Sequence, residues 1–211
     1  MAHVLVLGAS KGIGLQTVRT ALASGHRVRA FARSASRIPI SDANLEAIDG
    51  DALKAGDVEH ALRGVDVVIQ TLGVPVRKLL GPVSLFSEAT QILVSAMTRA
   101  GPSRLIAVTG FGAGDSRQSI GVVQILPFLA FFGRAYNDKD VQEMIIRRSK
   151  LDWTIVRPGV LTNNPPTRSY KVLDSPSQWR NGLTSRADVA DFLVREIGRT
   201  EHVRKTPVLI S

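Results

Sequence analysis

Short apolar runs alternate with helix-length amphipathic segments along most of the chain, and this alternation constrains the fold more than any other feature. Runs that are apolar throughout are typical of parallel strands buried on both faces. Strands are predicted at residues 3–7, 27–32, 45–48, 65–70, 104–109, 153–157 and 207–210, and helices at 12–23, 57–63, 84–99, 138–149 and 185–197. The sequence therefore predicts a doubly wound α/β fold, with a mostly parallel sheet and helices on both faces.

Two segments, 110–135 and 159–184, interrupt this alternation. Each follows the carboxyl end of a predicted strand, which is where open α/β sheets bind their ligands. We therefore predict that both segments are walls of a substrate pocket. The sequence contains no internal repeat and no low-complexity linker, so a single domain over residues 1–211 is expected.

Composition narrows the class of protein. The absence of Cys excludes a disulfide scaffold and a thiol nucleophile, and fits a reducing compartment. The net charge of +9 favours anionic ligands, but the basic residues are scattered and aromatic residues are only 5 %, so no nucleic-acid partner is expected. No export signal is recognisable, and the longest apolar run, 120–132, is too short to span a bilayer and contains Pro127. We expect a cytoplasmic location and no integral membrane segment.

A Gly-rich turn lies between the first predicted strand and the first helix. Gly8, Gly12 and Gly14 stand in the sequence GASKGIG. In such turns the first glycine makes the tight turn, the second lets the backbone approach a pyrophosphate, and the third lets the helix pack on the sheet. Helix-start N–H groups then meet the phosphates. The turn predicts a Rossmann-type dinucleotide site.

The end of the second predicted strand indicates which dinucleotide is bound. NAD sites place a carboxylate there for the ribose hydroxyls. This sequence has Arg33 and Arg37 instead, and no acidic residue before Asp42. Arginine at this position pairs with a 2′-phosphate, and Lys11 could reach the same group. NADP, used as NADPH in preference to NADH, is therefore predicted; the alternative is that both arginines are solvated loop charges.

Several segments together resemble atypical short-chain dehydrogenase/reductases, in particular the NmrA-like proteins and the flavin reductases of the biliverdin reductase B type. The resemblance is carried by the turn at 8–14, Gly50-Asp51, VDVVIQTLG at 65–73 and LDWTIVRPG at 151–159. Residues 33–39 resemble the phosphate-binding loop of that branch, and 170–172 and 185–193 resemble its C-terminal part. The similarity covers almost the whole chain and fails mainly at 116–134.

The resemblance implies a set of cofactor contacts. They are Gly8, Ser10, Lys11, Gly12 and Ile13 on the phosphates; Arg33 and Arg37 on the 2′-phosphate; Asp51 and Ala52 beside the adenine; Thr71, Leu72 and Gly73 near the ribose; and Pro158, Gly159, Val160 and Leu161 around the nicotinamide. By position alone, Asp51 could equally be a helix cap.

Many members of the wider superfamily use a hydroxyl residue, a Tyr and a Lys four residues after the Tyr. Thr109 could supply the hydroxyl, and Lys139 falls where the family Lys is expected, as a catalytic residue and a ribose ligand or else as a solvated charge. Tyr136 is one place out of register with Lys139. One residue is about 100° of helix rotation, so Tyr136 is expected to face elsewhere, as a packing or lid residue, unless the start of the helix is irregular.

The register of Tyr136 also affects which hydride acceptor is expected, because a site without a proton donor suits some acceptors better than others. Reduction of a ketone leaves an alkoxide that must be protonated in the site, whereas a reduced flavin or quinone is a delocalised anion that water can protonate. We therefore expect a small-molecule, conjugated acceptor such as a flavin or quinone. Candidate substrate contacts are Phe111, Phe128, Phe132, Tyr170 and Trp179, although Trp179 could also anchor a loop.

Other interpretations remain open. The apolar run 120–132 fits core, a pocket lining, a homodimer contact or a membrane-surface contact. The four His residues lack metal-ligand spacing, so no metal is expected. The function expected is thus an NADPH-dependent reductase of a conjugated acceptor. Two other functions stay open: a non-catalytic NADP(H) sensor of the NmrA type, and an NADP-dependent epimerase/dehydratase or carbonyl reductase.

Overall fold

The computed structural model describes residues 1–75 and 81–211, without the side chains at 100, 122–124 and 127–130. Ten strands are found in these ranges: β1 (His3–Leu7), β2 (Arg27–Ala32), β3 (Leu45–Asp49), β4 (Val67–Gln70), β5 (Arg104–Val108), β6 (Asp152–Pro158), β7 (Val160–Thr162), β8 (Lys171–Leu173), β9 (Leu183–Ser185) and β10 (Val208–Ile210). Eight of them form one sheet in the order β3-β2-β1-β4-β5-β6-β10-β8. All neighbours in this sheet are parallel except β8, which is antiparallel to β10.

Five α-helices cover the sheet within the described ranges: α1 (Gly12–Ala23), α2 (Ala55–Leu62), α3 (Leu85–Ala100), α4 (Val122–Arg148) and α5 (Arg186–Arg195). Successive strand residues point to opposite faces, so each buried strand contributes to two apolar layers. Val4 and Val6 pack on one face with Val18 of α1 and Val189 of α5. The other face, under α2, α3 and α4, contains Leu5 and Leu7 among its buried residues. The predicted doubly wound α/β fold is confirmed.

The carboxyl ends of β1, β4, β5 and β6 meet at one edge of the sheet, and both interrupting segments follow strands at this edge. The segment 159–184 is more regular than its sequence indicates. It contains β7, β8 and most of β9; β7 and β9 pair in parallel as a separate two-stranded sheet. Strands of three residues are too short to show the alternating pattern by which strands are recognised in a sequence.

Helix α4 differs most from the prediction. The sequence indicates a helix at 138–149 preceded by an irregular apolar insert, but α4 is one helix from Val122 to Arg148. Pro127 therefore lies within its second turn and does not break it. Downstream, Ala135, Gln142 and Ile146 are buried at helical spacing, so one continuous face packs on the sheet and α3.

The apolar run 120–132 is not uniformly core: Leu126 and Phe131 are 74 % and 62 % exposed, whereas Ile120 packs against a small buried cluster. No helix in the described part of the chain is long and apolar enough to cross a membrane. The cytoplasmic location stays a prediction.

Candidate functional site

The Gly-rich turn joins β1 to α1 in the geometry that a dinucleotide site needs. Gly8 has φ +93°, and its N–H donates to the Phe31 carbonyl at 2.9 Å, which closes the turn against β2. A Cβ on Gly14 would lie 2.2 Å from the Gly8 carbonyl oxygen, so only glycine permits this approach of α1 to the strand. Thr71 stabilises the same turn, since its hydroxyl donates to the Leu7 carbonyl at 3.0 Å.

The N-terminus of α1 can receive an anion. Gly12, at φ +57°, begins the helix, and no side-chain cap and no acidic residue occupy the first turn. Helix-start N–H groups carry partial positive charge and seek an acceptor. Phosphate oxygens fit such a cradle. Ser10, Lys11, Gly12 and Ile13 all lie in this turn, as the resemblance implies.

The loop after β2 exposes both arginines predicted for the 2′-phosphate. Arg33 and Arg37 are exposed there. A carboxylate also contacts this loop: Asp49, at the end of β3, accepts hydrogen bonds from the Ser36 N–H at 2.8 Å and the Ser36 hydroxyl at 2.7 Å. These bonds from Ser36 lower the pKa of Asp49, and they hold the carboxylate against the loop. Asp49 was missed in the sequence, where it reads only as the residue ending a strand.

The predicted adenine and ribose contacts have structural roles of their own. Asp51 accepts a hydrogen bond from the Leu53 N–H at 3.0 Å in a local turn, and it does not cap α2, whose N-cap residue is Lys54. Ala52 is buried and packs with Phe31 in the core. Thr71 is buried, Leu72 is partly buried and Gly73 is exposed at the end of β4.

Tyr136 and Lys139 converge at the end of β5. A Cβ on Gly110 would lie 2.7 Å from the Tyr136 hydroxyl oxygen and 3.4 Å from Lys139 Nζ. Lys139 Nζ donates to the Thr109 carbonyl and lies 4.9 Å from the centre of the Tyr136 ring. The expectation that Tyr136 faces elsewhere is wrong, because residues three apart are neighbours on a helix surface just as residues four apart are.

Burial perturbs both groups in opposite directions. It raises the pKa of Tyr136 to about 12, so the hydroxyl stays protonated at neutral pH. It lowers the pKa of Lys139 to about 8, against the opposing effect of the Glu143 carboxylate. The Thr109 hydroxyl is committed elsewhere, because it donates to Glu143 Oε1 at 2.8 Å. Of the predicted triad, Tyr136 and Lys139 thus have their polar groups beside Gly110, whereas the Thr109 hydroxyl is directed at Glu143.

A buried ion pair supports this cluster, and the sequence analysis missed it. Arg157 of β6 is fully buried and donates from Nε to Glu143 Oε1 at 2.9 Å, with a second bond from Nη2 to Oε2. Arg157 Nη2 also lies 2.6 Å from Asp115 Oδ1, and the guanidinium stacks over Trp179 at 5.0 Å. Through these contacts Arg157 links α4 to the segments that follow β5 and β6.

The predicted substrate aromatics separate into two groups. Phe111 and Trp179 are buried in one small cluster, and Trp179 Nε1 donates to the Leu173 carbonyl at 3.0 Å, so both pack rather than line a pocket. Tyr170 donates its hydroxyl to Asp191 at 2.7 Å and is likewise an anchor. Phe132 is 41 % exposed and contacts Tyr136 edge to face, with ring centres 6.4 Å apart. The side chain of Phe128 lies outside the described residues.

The predicted nicotinamide wall follows β6. Pro158 is buried, Gly159 and Leu161 are partly buried, and Val160 is exposed. The paired strands β7 and β9 bring the end of this segment back to the Gly-rich turn. A cleft of about 260 Å³ results, lined by Gly12, Leu15, Gln16, Asn163, Asn164, Arg186 and Ala187.

One group of side chains in the described ranges could hold a metal ion: Asp174, Glu201 and His202. The His202 carbonyl accepts a hydrogen bond from the Thr154 hydroxyl, near the amino-terminal end of β6. The Gly-rich turn lies at the carboxyl ends of the parallel strands, so this group is at the opposite end of the sheet. The expectation that the protein uses no metal stays a prediction.

Comparison with known proteins agrees with this geometry. Residues 8–200 match the model of the NAD(P)H-binding family. Protein TIC 62, chloroplastic, from Arabidopsis thaliana is 29 % identical over 80 % of this chain and 28 % of its own length. The 3 beta-hydroxysteroid dehydrogenase/Delta 5→4-isomerase of Mycobacterium tuberculosis is 27 % identical over 83 % of this chain and 51 % of its own length. The chain thus spans about half or less of these two relatives.

A solved structure covers the chain more evenly. ChuY, an anaerobillin reductase from Escherichia coli O157:H7, is 27 % identical with a TM-score of 0.82, and the alignment covers 99 % of this chain and 96 % of ChuY. The relatives therefore include a reductase and a dehydrogenase. With its Gly-rich turn, its parallel sheet and a family model that matches nearly its whole length, the chain belongs to the NAD(P)H-binding family.

Proposed function

We propose that this chain is an NADPH-dependent reductase that delivers hydride to a planar, conjugated acceptor such as a flavin or a quinone. The observation that carries the proposal is the convergence of Tyr136 and Lys139 at Gly110, with Phe132 beside Tyr136 on the same helix. A bound nicotinamide supplies the hydride. The chain's residues must then orient the acceptor and stabilise the charge that it gains.

The two donors suit an acceptor that becomes a delocalised anion. The ammonium of Lys139 provides positive charge next to Thr109, and the neutral hydroxyl of Tyr136 provides a hydrogen bond. Fixed donors aimed at developing charge are an effective form of transition-state stabilisation. A strong acid is unnecessary, which agrees with the raised pKa of Tyr136. The exposed ring of Phe132 adds an apolar surface on which a planar acceptor can stack.

The coenzyme preference rests on the loop after β2. Arg33 and Arg37 are exposed there, and the Asp49 carboxylate is bonded to Ser36 rather than left for ribose hydroxyls. Arginine forms bidentate bonds with phosphate, so this loop favours the 2′-phosphate of NADPH over the bare ribose of NADH.

The first test is steady-state oxidation of NADPH by purified protein with FMN, riboflavin or a soluble quinone, repeated with NADH. Turnover with at least one acceptor, and a higher kcat/KM with NADPH than with NADH, is expected. Tight calorimetric binding of NADPH without turnover on any of these acceptors would refute the proposed reductase and support the sensor.

A carbonyl reductase is the second candidate, because Tyr136 and Lys139 meet as such an enzyme requires. Tyr136→Phe separates the two functions. A delocalised anion can be protonated by water, so loss of the hydroxyl should lower kcat less than about tenfold with a conjugated acceptor; a ketone, which needs general acid catalysis, should lose about 100-fold or more. Ketone turnover that disappears in Tyr136→Phe would replace the flavin or quinone assignment.

A further inference from the structure

The cleft beside the Gly-rich turn contains a cation that the sequence analysis did not select. Arg186 is the first residue of α5, and its Nε lies 3.8 Å from where a Cβ of Gly12 would be. Only one of the cleft's described lining residues is charged, and it is Arg186. Its guanidinium therefore lies over the open start of α1, where an anion would be received.

Arg186 is held in place on the side away from α1. Its Nη1 donates to the Thr162 carbonyl at 3.1 Å and to Asn163 Oδ1 at 2.8 Å. In the part of the chain that the structure describes, both hydrogen bonds of this guanidinium come from Nη1, so Nε and Nη2 can serve a ligand. Thr162 and Asn163 come from the end of β7, whose pairing with β9 fixes their position relative to Arg186. The side chain is thus partly ordered before any ligand arrives.

The charges around the cleft favour an anion. The start of α1 has no side-chain cap and no acid in its first turn. The acid nearest to Arg186 in the sequence, Asp188, is buried and accepts hydrogen bonds from Ser185 and from Thr167. These bonds direct the Asp188 carboxylate at Ser185 and the loop before it, and no ion pair between Asp188 and Arg186 is found among the described residues. A helix start and a guanidinium, a few ångströms apart, then face the same volume.

We propose that Arg186 binds the diphosphate bridge of the dinucleotide, opposite the N–H groups at the start of α1. This inference rests on the proposed function, since it assigns a cation to the site of the same cofactor. Diphosphate is common to NADPH and NADH, whereas the 2′-phosphate is found only in NADPH. Arg186 therefore sets the affinity for both coenzymes, and Arg33 with Arg37 sets the choice between them.

The test compares Arg186→Gln with wild-type protein by calorimetric titration with NADPH and with NADH. Both dissociation constants should rise by about tenfold or more, with their ratio unchanged within a factor of about two, because a charge-assisted contact to a shared group is lost. Arg180→Gln is the matched control; Arg180 is exposed in the preceding segment and bonds only to the Gln178 carbonyl among the described residues. It should leave both constants unchanged.

Two further measurements make the result decisive. Arg186→Lys keeps a cation but loses the planar donor set, so it should weaken both coenzymes by an intermediate factor, and it replaces the Gln variant if that protein does not fold. Inorganic pyrophosphate should compete with NADH for the wild-type protein, and Arg186→Gln should lose most of that competition. Pyrophosphate that binds alongside NADH would indicate a separate anion site and overturn the inference.

The remaining outcomes separate the inference from the proposed function. Wild-type protein that binds neither coenzyme refutes the proposed function itself. Normal binding of both coenzymes by Arg186→Gln overturns the inference and leaves the function standing. Weakened binding of NADPH alone would place Arg186 at the 2′-phosphate, and equal losses in Arg180→Gln would reveal a general charge effect; either result also overturns it.

Discussion

Glu143→Gln is the substitution that most directly tests the buried support of the site. The carboxylate and Arg157 are 2 % and 0 % exposed, and two hydrogen bonds join them. Removing one partner of a buried ion pair costs ~3–5 kcal/mol, because the remaining charge is left uncompensated. Here Asp115 Oδ1 stays 2.6 Å from Arg157, and the new amide oxygen can still accept from Thr109. We therefore expect a loss at or just below the lower end of that range, ~2–3 kcal/mol in the free energy of unfolding.

Urea denaturation at pH 7 measures this loss, with thermal unfolding as a second readout. A chain of this size changes its Tm by ~2–4 °C per kcal/mol, so the variant should melt ~4–12 °C lower. Glu59→Gln is the control, since Glu59 pairs with Arg99 at the surface and both side chains are about half exposed. Exposed pairs contribute ~0–1 kcal/mol, so the control should stay close to the wild-type value.

A double-mutant cycle shows whether the pair itself is responsible. Arg157→Met removes the other charge, so the two substitutions together should cost clearly less than the sum of the single costs. Additive losses, or a loss below ~1 kcal/mol in Glu143→Gln alone, would refute the claim that this ion pair supports the site.

Three shorter predictions concern Lys139 and the proposed coenzyme site. The pKa of Lys139 is about 8 in the folded state against 10.5 ordinarily, so the charged side chain destabilises the fold below pH 8, and this penalty disappears as the pH rises from 8 to 10.5. Urea denaturation of Lys139→Met at pH 7 should therefore give a free energy of unfolding ~1–3 kcal/mol higher than that of wild type, and the difference should vanish at pH 10.5. Arg33→Ser combined with Arg37→Ser should raise the Kd for NADPH about tenfold and leave that for NADH unchanged, measured by fluorescence titration. Gly14→Ala should abolish coenzyme binding and lower the Tm, because the new Cβ would lie 2.2 Å from a carbonyl oxygen. Gly56→Ala in α2 is the control: nothing lies within 4 Å of its Cβ position, so its Tm should be no lower than that of wild type.

Features decided by neighbouring residues could be predicted from the sequence. The central strands β1, β4 and β5 are buried on both faces, and a mostly apolar run of residues records this directly. The same holds for the turn that contains Gly8, Gly12 and Gly14, because a strand, a tight turn and a helix start follow one another within fourteen residues. The order of its glycines fixes a local backbone geometry, which needs no distant contact to be recognised.

Features that depend on distant contacts could not be predicted. The hydrogen bond from Thr109 to Glu143 joins residues 34 positions apart, and the ion pair between Glu143 and Arg157 has no periodic signature. The position of Arg186 over Gly12 depends on the pairing of β7 with β9, and three-residue strands leave no readable pattern. A basic residue at the first position of a helix gave no reason to expect a phosphate contact.

The error over Tyr136 arose from the assumption that one residue of register turns its side chain away from Lys139. Because α4 is continuous from Val122, residues separated by four, three and four positions share one of its faces. That face presents Phe132, Tyr136, Lys139 and Glu143 in this order, from an exposed ring to a buried carboxylate. In the proposed reductase, the surface for the acceptor, a neutral donor, a cation and the carboxylate beside that cation would therefore come from a single helix. A displacement of α4 along its axis would move all four groups together, so the helix, and not the loops around it, would set the spacing between these groups.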